Sequence, residues 1–236
     1  MIALGDIHEA RERIQSFVHR TFLTRSATLS KMSGFDVWLK PECLQRTGSF
    51  KIRGAMNRVL SLSPEEGRRG IVTGSSGNHG QAVACASQIK GYSAIVVMPE
   101  GASPAKVAAV KGYGSQVIFC GTLSDERLAL AKKMRNEQGM TLIHPYDDPY
   151  VIAGQGTVGL EILEDLEDVA AVLVPTGGCG LISGVAAAIK ETKPNVKVFG
   201  VEPAGSDSTG RSFRAGKRVR LDVVDTMADG IRNPIP

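Results

Sequence analysis

From Ile71 onward the chain alternates short runs rich in apolar and β-branched residues (IVT, AIVVM, QVIF, TLIH) with stretches at helical spacing. That alternation constrains the fold more than any other feature. Strands separated by a helix cannot close as hairpins, so each connection is a crossover and the sheet it builds is parallel. A second series follows, with VAAVLVP, a helix after Gly180, and VKVFGVEP. Parallel strands covered on both faces read as continuous apolar runs, as AIVVM and VAAVLV do. The predicted fold is therefore α/β, with two parallel-sheet βαβ domains. A smaller domain, 70–147, is inserted into a larger discontinuous one, 1–69 plus 148–236.

Local signals place the remaining elements. Asp6 with Glu9 three residues on predicts a capping box, and Ile7, Ala10, Ile14, Phe17 and Val18 recur at helical spacing. FDVWLK alternates Val37 and Leu39 against polar neighbours as a strand does. The stripe Ile52, Ala55, Met56, Val59 and Leu60 predicts a helix with Lys51 in its first turn. Ser103-Pro104 predicts a helix start, and Ser124 a cap for a long helix ending near Gly139. RSFRAGKRVR, with Arg211, Arg214, Lys217, Arg218 and Arg220, reads as a solvated loop, because no nucleic-acid-binding motif surrounds it.

Composition narrows the function classes. A chain of 236 residues that is 42% hydrophobic can bury a real core. Its net charge of +4 gives no argument for nucleic acid or an acidic membrane as partner. MIALGDIHEARERI reaches charged residues too early to hold a signal-peptide core or a membrane span. Cys43, Cys85, Cys120 and Cys179 have neither zinc-site nor disulfide-scaffold spacing. Reduced thiols and a cytoplasmic protein are expected.

The 27 glycines cluster in GSSGNHG, GQGTVG and TGGCGLISG instead of forming a low-complexity tract. Such loops before helix starts offer free N–H groups and the positive end of a helix dipole to an anion. Gly177, Gly178, Cys179 and Gly180 are placed to wrap a phosphate; a packing turn between strand and helix explains them equally well. Gly178-Cys179-Gly180 followed by Glu202 also partly mimics a dinucleotide fingerprint, although its third glycine falls on Ser183, so an NAD-binding oxidoreductase is a rival reading. Lys51 at a helix start feels both the dipole and partial burial, which weaken its hold on the proton and suit it to Schiff-base chemistry. For an isolated lysine, a solvated helix position is the commoner case.

Whole motifs change that weighting. LQRTGSFKIRGA, SSGNHGQA, HPYDDPYVIAGQGTVGLEIL and TGGCGLISG, in this order, resemble the pyridoxal-phosphate-dependent serine/threonine dehydratases (threonine ammonia-lyases) and serine racemases, of fold type II. The resemblance runs from the N-terminal helix to TMADGI. It implies that Lys51 carries pyridoxal 5'-phosphate as a Schiff base, Phe50 lies against the ring and Asn78 bonds the ring hydroxyl. It also implies that Gly177, Gly178, Cys179, Gly180 and Leu181 cradle the phosphate, and that Gly230 passes beside the cofactor. Ser75, Ser76, Gly77 and His79 would receive the carboxylate of a small amino-acid substrate. Lys51 would remove the α-proton, and loss of the β-hydroxyl from L-threonine or L-serine would yield a 2-oxo acid and ammonia. Ser76, if on the opposite face, would return a proton and racemise serine. A homo-oligomer is implied as well.

The chain departs from the family pattern at three places. Cys179 replaces a phosphate-loop glycine, where positive φ would strain it. The family's divalent-metal segment matches at Glu202, but Asp207 stands one position before the expected carboxylate; Mg²⁺ on Glu202, the Ser206 carbonyl and Asp207 is the corresponding expectation. The chain stops at RNPIP where the family continues, so the larger domain is expected to be incomplete, with a sheet edge and an apolar face exposed. A cofactor-binding fragment without turnover is accordingly a further reading.

Overall fold

Buried apolar spacing sets the first element. In the computed structural model, which describes residues 2–75, 77–121 and 124–236 (for Ser124 and Asp125 the backbone only), α1 (Leu4–Ile14) buries Ile7, Ala10 and Ile14. Its capping bond lies earlier than predicted. The Asp6 carboxylate accepts from the Ala3 N–H at 2.8 Å, so Asp6 is the third helical residue and not the cap. Phe17 and Val18 pack from the turn that follows.

β1 (Thr24–Arg25) and β2 (Trp38–Leu39) pair antiparallel around α2 (Ala27–Ser33). The strand predicted over FDVWLK shrinks to two residues, because the Val37 N–H is taken by the Ser30 hydroxyl at 2.9 Å. After a 3₁₀ turn at Glu42–Leu44, α3 (Lys51–Leu60) buries Ile52, Ala55, Met56 and Val59 as its stripe requires. It also buries Arg53, whose guanidinium meets Glu42 at 2.8 Å and Glu161 at 2.6 and 2.9 Å.

α4 (Pro64–Arg68) is capped by Ser63, with Glu66 closing the box. The alternating region then follows as β3 (Ile71–Gly74), α5 (Asn78–Lys90), β4 (Ala94–Met98), α6 (Pro104–Gly112), β5 (Gln116–Phe119), α7 (Ser124–Gln138) and β6 (Thr141–Leu142). Its strands form one parallel sheet in the order β5-β4-β3-β6, as helical crossovers demand. Ser103 is the N-cap of α6 and Pro104 its first residue, although the Ser103 side chain makes no capping bond. α8 (Pro149–Asp165) leads to β7 (Ala171–Pro175), α9 (Gly180–Thr192) and β8 (Lys197–Val201), a second parallel pair. α10 (Ser208–Ala215) takes up the first half of RSFRAGKRVR, which is therefore not a loop; Arg211 pairs with Asp207 one turn back at 2.8 Å.

Two of the five buried clusters bear on the site, each fully buried aliphatic side chain contributing about 1.5–3 kcal/mol. One joins Ile52, Met56 and Val59 of α3 to Val83 and Ala86 of α5, Ile71 and Ile143. The other sits under β7 and β8, with Val172, Val174, Val185 and Ile189. β4 is apolar on both faces as predicted, but burial alternates along β7, where Leu173 is 67% exposed and Phe199 of β8 50%. The apolar run VAAVLV is thus covered on one face only, and the expected exposed apolar face is present.

Candidate active site

The C-terminal ends of β3 and β7 and the starts of α3, α5 and α9 converge on a cavity of about 260 Å³. Ligands of open α/β sheets bind at such carboxyl ends. Phe50 and Lys51, Ser75, Gly77, Asn78 and His79, Gly177 to Leu181, and Gly230 all line it; Ser76 lies outside the described residues, and the predicted metal residues Glu202, Ser206 and Asp207 do not line the cavity.

Lys51 opens α3, its Nζ donating to the carbonyl of Pro145 at 2.8 Å and lying 5.2 Å from the centre of the Phe50 ring. What surface Lys51 exposes faces this cavity; the amine itself is enclosed by protein. Burial pushes its pKa down to about 8. Burial, and then the Lys51 charge, push His79 down to about 3. Its neutral ring has Nε2 3.3 Å from the Ile143 carbonyl, which assigns the proton there and leaves Nδ1 as a buried acceptor without a partner. His79 is thus no proton donor at neutral pH. The Ser75 hydroxyl accepts from the N–H groups of Gly77 (3.2 Å) and Gly80 (3.0 Å), closing the N-terminus of α5 and leaving its hydrogen to donate.

On the facing wall, Cys179 caps α9 with φ 65°, the conformation in which a glycine would be unstrained. Its Sγ lies 3.7 Å from the Gly177 carbonyl and 3.5 Å from Thr209 Oγ1, and Thr209 itself donates to that carbonyl at 3.0 Å. The glycines here are required by close approach. A Cβ on Gly178 would meet the Tyr146 ring at 2.4 Å, one on Gly180 the Tyr146 Cβ and carbonyl at 2.9 Å, and one on Gly177 the Ile231 Cα at 3.1 Å. Sequence reasoning assigned no role to Pro145, Tyr146, Lys106, Thr209 or Asp229, although Pro145 and Tyr146 fall inside HPYDDPYVIAGQGTVGLEIL and Asp229 inside TMADGI.

Comparison with known proteins agrees with this geometry. The family described as "Pyridoxal-phosphate dependent enzyme" matches residues 14–236. The chain belongs to the pyridoxal-phosphate-dependent enzyme family. It is 49% identical over 231 residues to the L-threonine ammonia-lyase of Thermotoga maritima and 46% identical over 226 residues to the serine racemase of Arabidopsis thaliana. These alignments take in 98% and 96% of this chain but 58% and 68% of the relatives' lengths. Among solved structures it superposes on maize serine racemase (TM-score 0.95, 42% identity, 98% of this chain and 70% of that one) and on the processed form of threonine deaminase isoform 2 from Solanum lycopersicum (TM-score 0.93, 41% identity, 98% and 63%). Its fold is that of the fold type II members of this family.

The cavity fits the family's cofactor. One wall offers an amine with a weakened hold on its proton, and the other a glycine-built helix start whose N–H groups suit a phosphate. The dinucleotide reading gains nothing from the structure, because the Glu202 oxygens accept from the N–H groups of Thr209 (2.9 Å) and Gly210 (2.7 Å) and Glu202 does not line the cavity. Nothing among the described residues supports the expected Mg²⁺ set. The Glu202 carboxylate faces the start of α10 and Asp207 pairs with Arg211 at 2.8 Å. No described helix is long and apolar enough to cross a membrane.

Proposed function

We propose that this chain serves the pyridoxal-phosphate-dependent dehydration and deamination of L-threonine or L-serine to a 2-oxo acid and ammonia. The observation that carries the reading is Lys51, an enclosed amine with a pKa near 8 facing a glycine-built anion cradle across one cavity. When bound, the cofactor supplies an electron sink for the charge that develops at the substrate Cα. Gly177, Gly178, Cys179, Gly180 and Leu181 would hold its phosphate, Phe50 would pack on the ring, Asn78 would bond the ring hydroxyl, Gly230 would pass beside it, and Lys51 would hold it through Nζ. The N–H groups at the start of α5 and the Ser75 hydroxyl suit a substrate carboxylate. Lys51 Nζ, displaced by the substrate amine, is the base for the α-hydrogen; the neutral amine it needs is well populated near pH 8.

Racemisation of serine is the second reading, favoured by the likeness to plant serine racemases, with Ser76 as the acid on the opposite face. In the same proposal, residues 1–69 with 148–236 form the cofactor-binding domain and 70–147 the inserted one; the two parallel sheets share no strand. A cytoplasmic setting accords with four cysteines that form no disulfide. Self-association accords with Phe22, Met32 and Phe35, which are 60–78% exposed.

The test is to incubate the chain with pyridoxal phosphate, reduce it with borohydride and map the labelled peptide, then assay 2-oxo acid from both amino acids and D-serine from L-serine. Label on Lys51 with 2-oxo acid release is expected. Label on another lysine would overturn the site. A Ser76→Ala variant that loses D-serine formation but keeps elimination separates the two activities.

A further inference from the structure

Lys106 breaks a local rule. It is the third residue of α6, where the positive end of the helix dipole disfavours a cation, and no acidic residue shares that first turn. Departures from local preference concentrate at functional positions. Its stem crosses the cavity wall: a Cβ on Gly77 would stand 2.9 Å from Lys106 Cδ, 3.1 Å from Cε and 3.3 Å from Nζ. Lys106 therefore lies directly against Gly77, the residue before α5. Its Nζ reaches Asp229 Oδ2 at 2.6 Å, in the 3₁₀ turn Asp229–Ile231 that backs the Gly177 loop. The pair joins elements 123 residues apart, one carried by the four-stranded sheet and one beside the phosphate loop.

This pair is cheap to open. Asp229 is 74% and Lys106 31% exposed, and ion pairs at such exposure contribute about 0–1 kcal/mol. The hydrogen bond from Lys106 holds the Asp229 carboxyl below the usual carboxylate range, so Asp229 is charged and remains an acceptor throughout the neutral range. A flexible lysine whose partner sits at the mouth can therefore exchange that partner for another carboxylate without net loss.

We propose that Lys106 is a further substrate-positioning residue, an ammonium parked on Asp229 that turns to the α-carboxylate of an amino acid seated against Gly77 and Asn78 at the start of α5. The inference rests on the proposed function and assigns Lys106 the cation that the loop's own neutral donors lack. Asp229 is the resting partner, which keeps the cation at the mouth between turnovers.

The test uses the full chain loaded with pyridoxal phosphate, titrated with glycine and, separately, with ethanolamine while its visible band is followed. Ethanolamine offers the same amine without the carboxylate. In Lys106→Met, glycine binding is expected to weaken by about tenfold or more while ethanolamine changes by less than about twofold, as loss of a charged hydrogen bond predicts. Lys106→Arg retains most of the glycine affinity, and Asp229→Asn, which frees the lysine, does not weaken it. Turnover of L-threonine by Lys106→Met shows the loss mainly in KM. Equal weakening of glycine and ethanolamine, or an Asp229→Asn variant as impaired as Lys106→Met, would show a structural clasp and overturn the inference. An unsubstituted chain that forms no band refutes the proposed function and this inference with it; intact bands with unchanged glycine affinity refute the inference alone.

Discussion

The Lys51 ε-amine donates to the Pro145 carbonyl at 2.8 Å, tying the first residue of α3 to the segment that leaves β6. A carbonyl can orient an amine without adding a full negative charge beside it. Had Pro145 been replaced by a carboxylate-bearing residue, the ammonium would be favoured and the nucleophile lost. The chain instead buries the amine against neutral groups, and its pKa falls to about 8.

The pH dependence of cofactor attachment follows. Only the neutral amine attacks an aldehyde, so the initial rate of Schiff-base formation should rise through about pH 8, where a solvated lysine would respond only near 10.4. Stability has a definite sign too. The folded pKa lies below the unfolded one, so the folded state binds fewer protons, and this group's penalty is complete below pH 8 and fades as pH rises toward 10.5. Lys51→Met should therefore raise the denaturation midpoint at pH 7, by up to roughly 3 kcal/mol at 1.36 kcal/mol per pKa unit, while abolishing the visible band. A midpoint unchanged at pH 7 would show that the amine is better solvated than its surroundings indicate.

Arg53, two residues on, faces the opposite way and is fully enclosed. Burial alone would lower its pKa, but hydrogen bonds to Glu42 and Glu161 more than offset that and raise it. Removing it leaves Glu42 with only the Thr21 hydroxyl and Glu161 with only Lys40 as partner, so Arg53→Met should cost roughly 3 kcal/mol in denaturant unfolding. Arg53→Lys should recover little, since one ammonium cannot reproduce the forked geometry toward both partners. A near-neutral Arg53→Lys would show that charge alone, not shape, is needed at this position.

What could be read in advance divides by range. The β/α alternation after Ile71, the stripe from Ile52 to Leu60 and the helix start at Lys51 are periodic features within one segment, and periodicity is visible in a sequence. The half-open face of β7 is not, because whether Leu173 is covered depends on what lies against it, not on its neighbours in VAAVLV. Asp6 illustrates a smaller failure: as cap or as third residue it offers the same carboxylate to a helix start, and the sequence does not choose between them. Tyr146, Lys106 and Asp229 reach the site through contacts spanning tens to more than a hundred residues, which no periodicity within one segment reveals. Glu202 matched a metal pattern by residue type, and that its oxygens accept from two backbone N–H groups shows only in the geometry.

Cys179 is the only non-glycine residue with positive φ among those described. An L-residue there costs about 1 kcal/mol or more. Cys179→Gly should therefore raise the unfolding midpoint by an amount equivalent to about 0.5–1 kcal/mol and tighten cofactor binding, since the loop no longer resists its own shape. Cys179→Ala keeps the backbone strain and loses the Sγ contacts to Gly177 and Thr209, so it should fall below the unsubstituted chain. If alanine proved as good as glycine, strain at this position would not be what limits the loop.

The glycine loop and Tyr146 offer a test with its own control. A methyl on Gly178 would stand 2.4 Å from Tyr146 Cγ and Cδ1, far inside contact distance, so Gly178→Ala must displace the ring or the loop. Overpacking of this kind costs about 1–3 kcal/mol, and cofactor affinity measured from the visible band should fall by about tenfold or more as the cradle distorts. The obstruction is ring atoms alone, so Tyr146→Ala should make room, and the double variant should recover part of both losses, with a favourable coupling of about 0.5–3 kcal/mol. Gly180 differs in one respect. Its added methyl would meet the Tyr146 Cβ and carbonyl oxygen, both at 2.9 Å, atoms that alanine retains. Gly180→Ala should therefore be as damaging in the Tyr146→Ala background as in the original chain. Rescue at 178 but not at 180 is the expected pattern; rescue at both, or at neither, would mean that the loop is held by something other than the face and backbone of Tyr146.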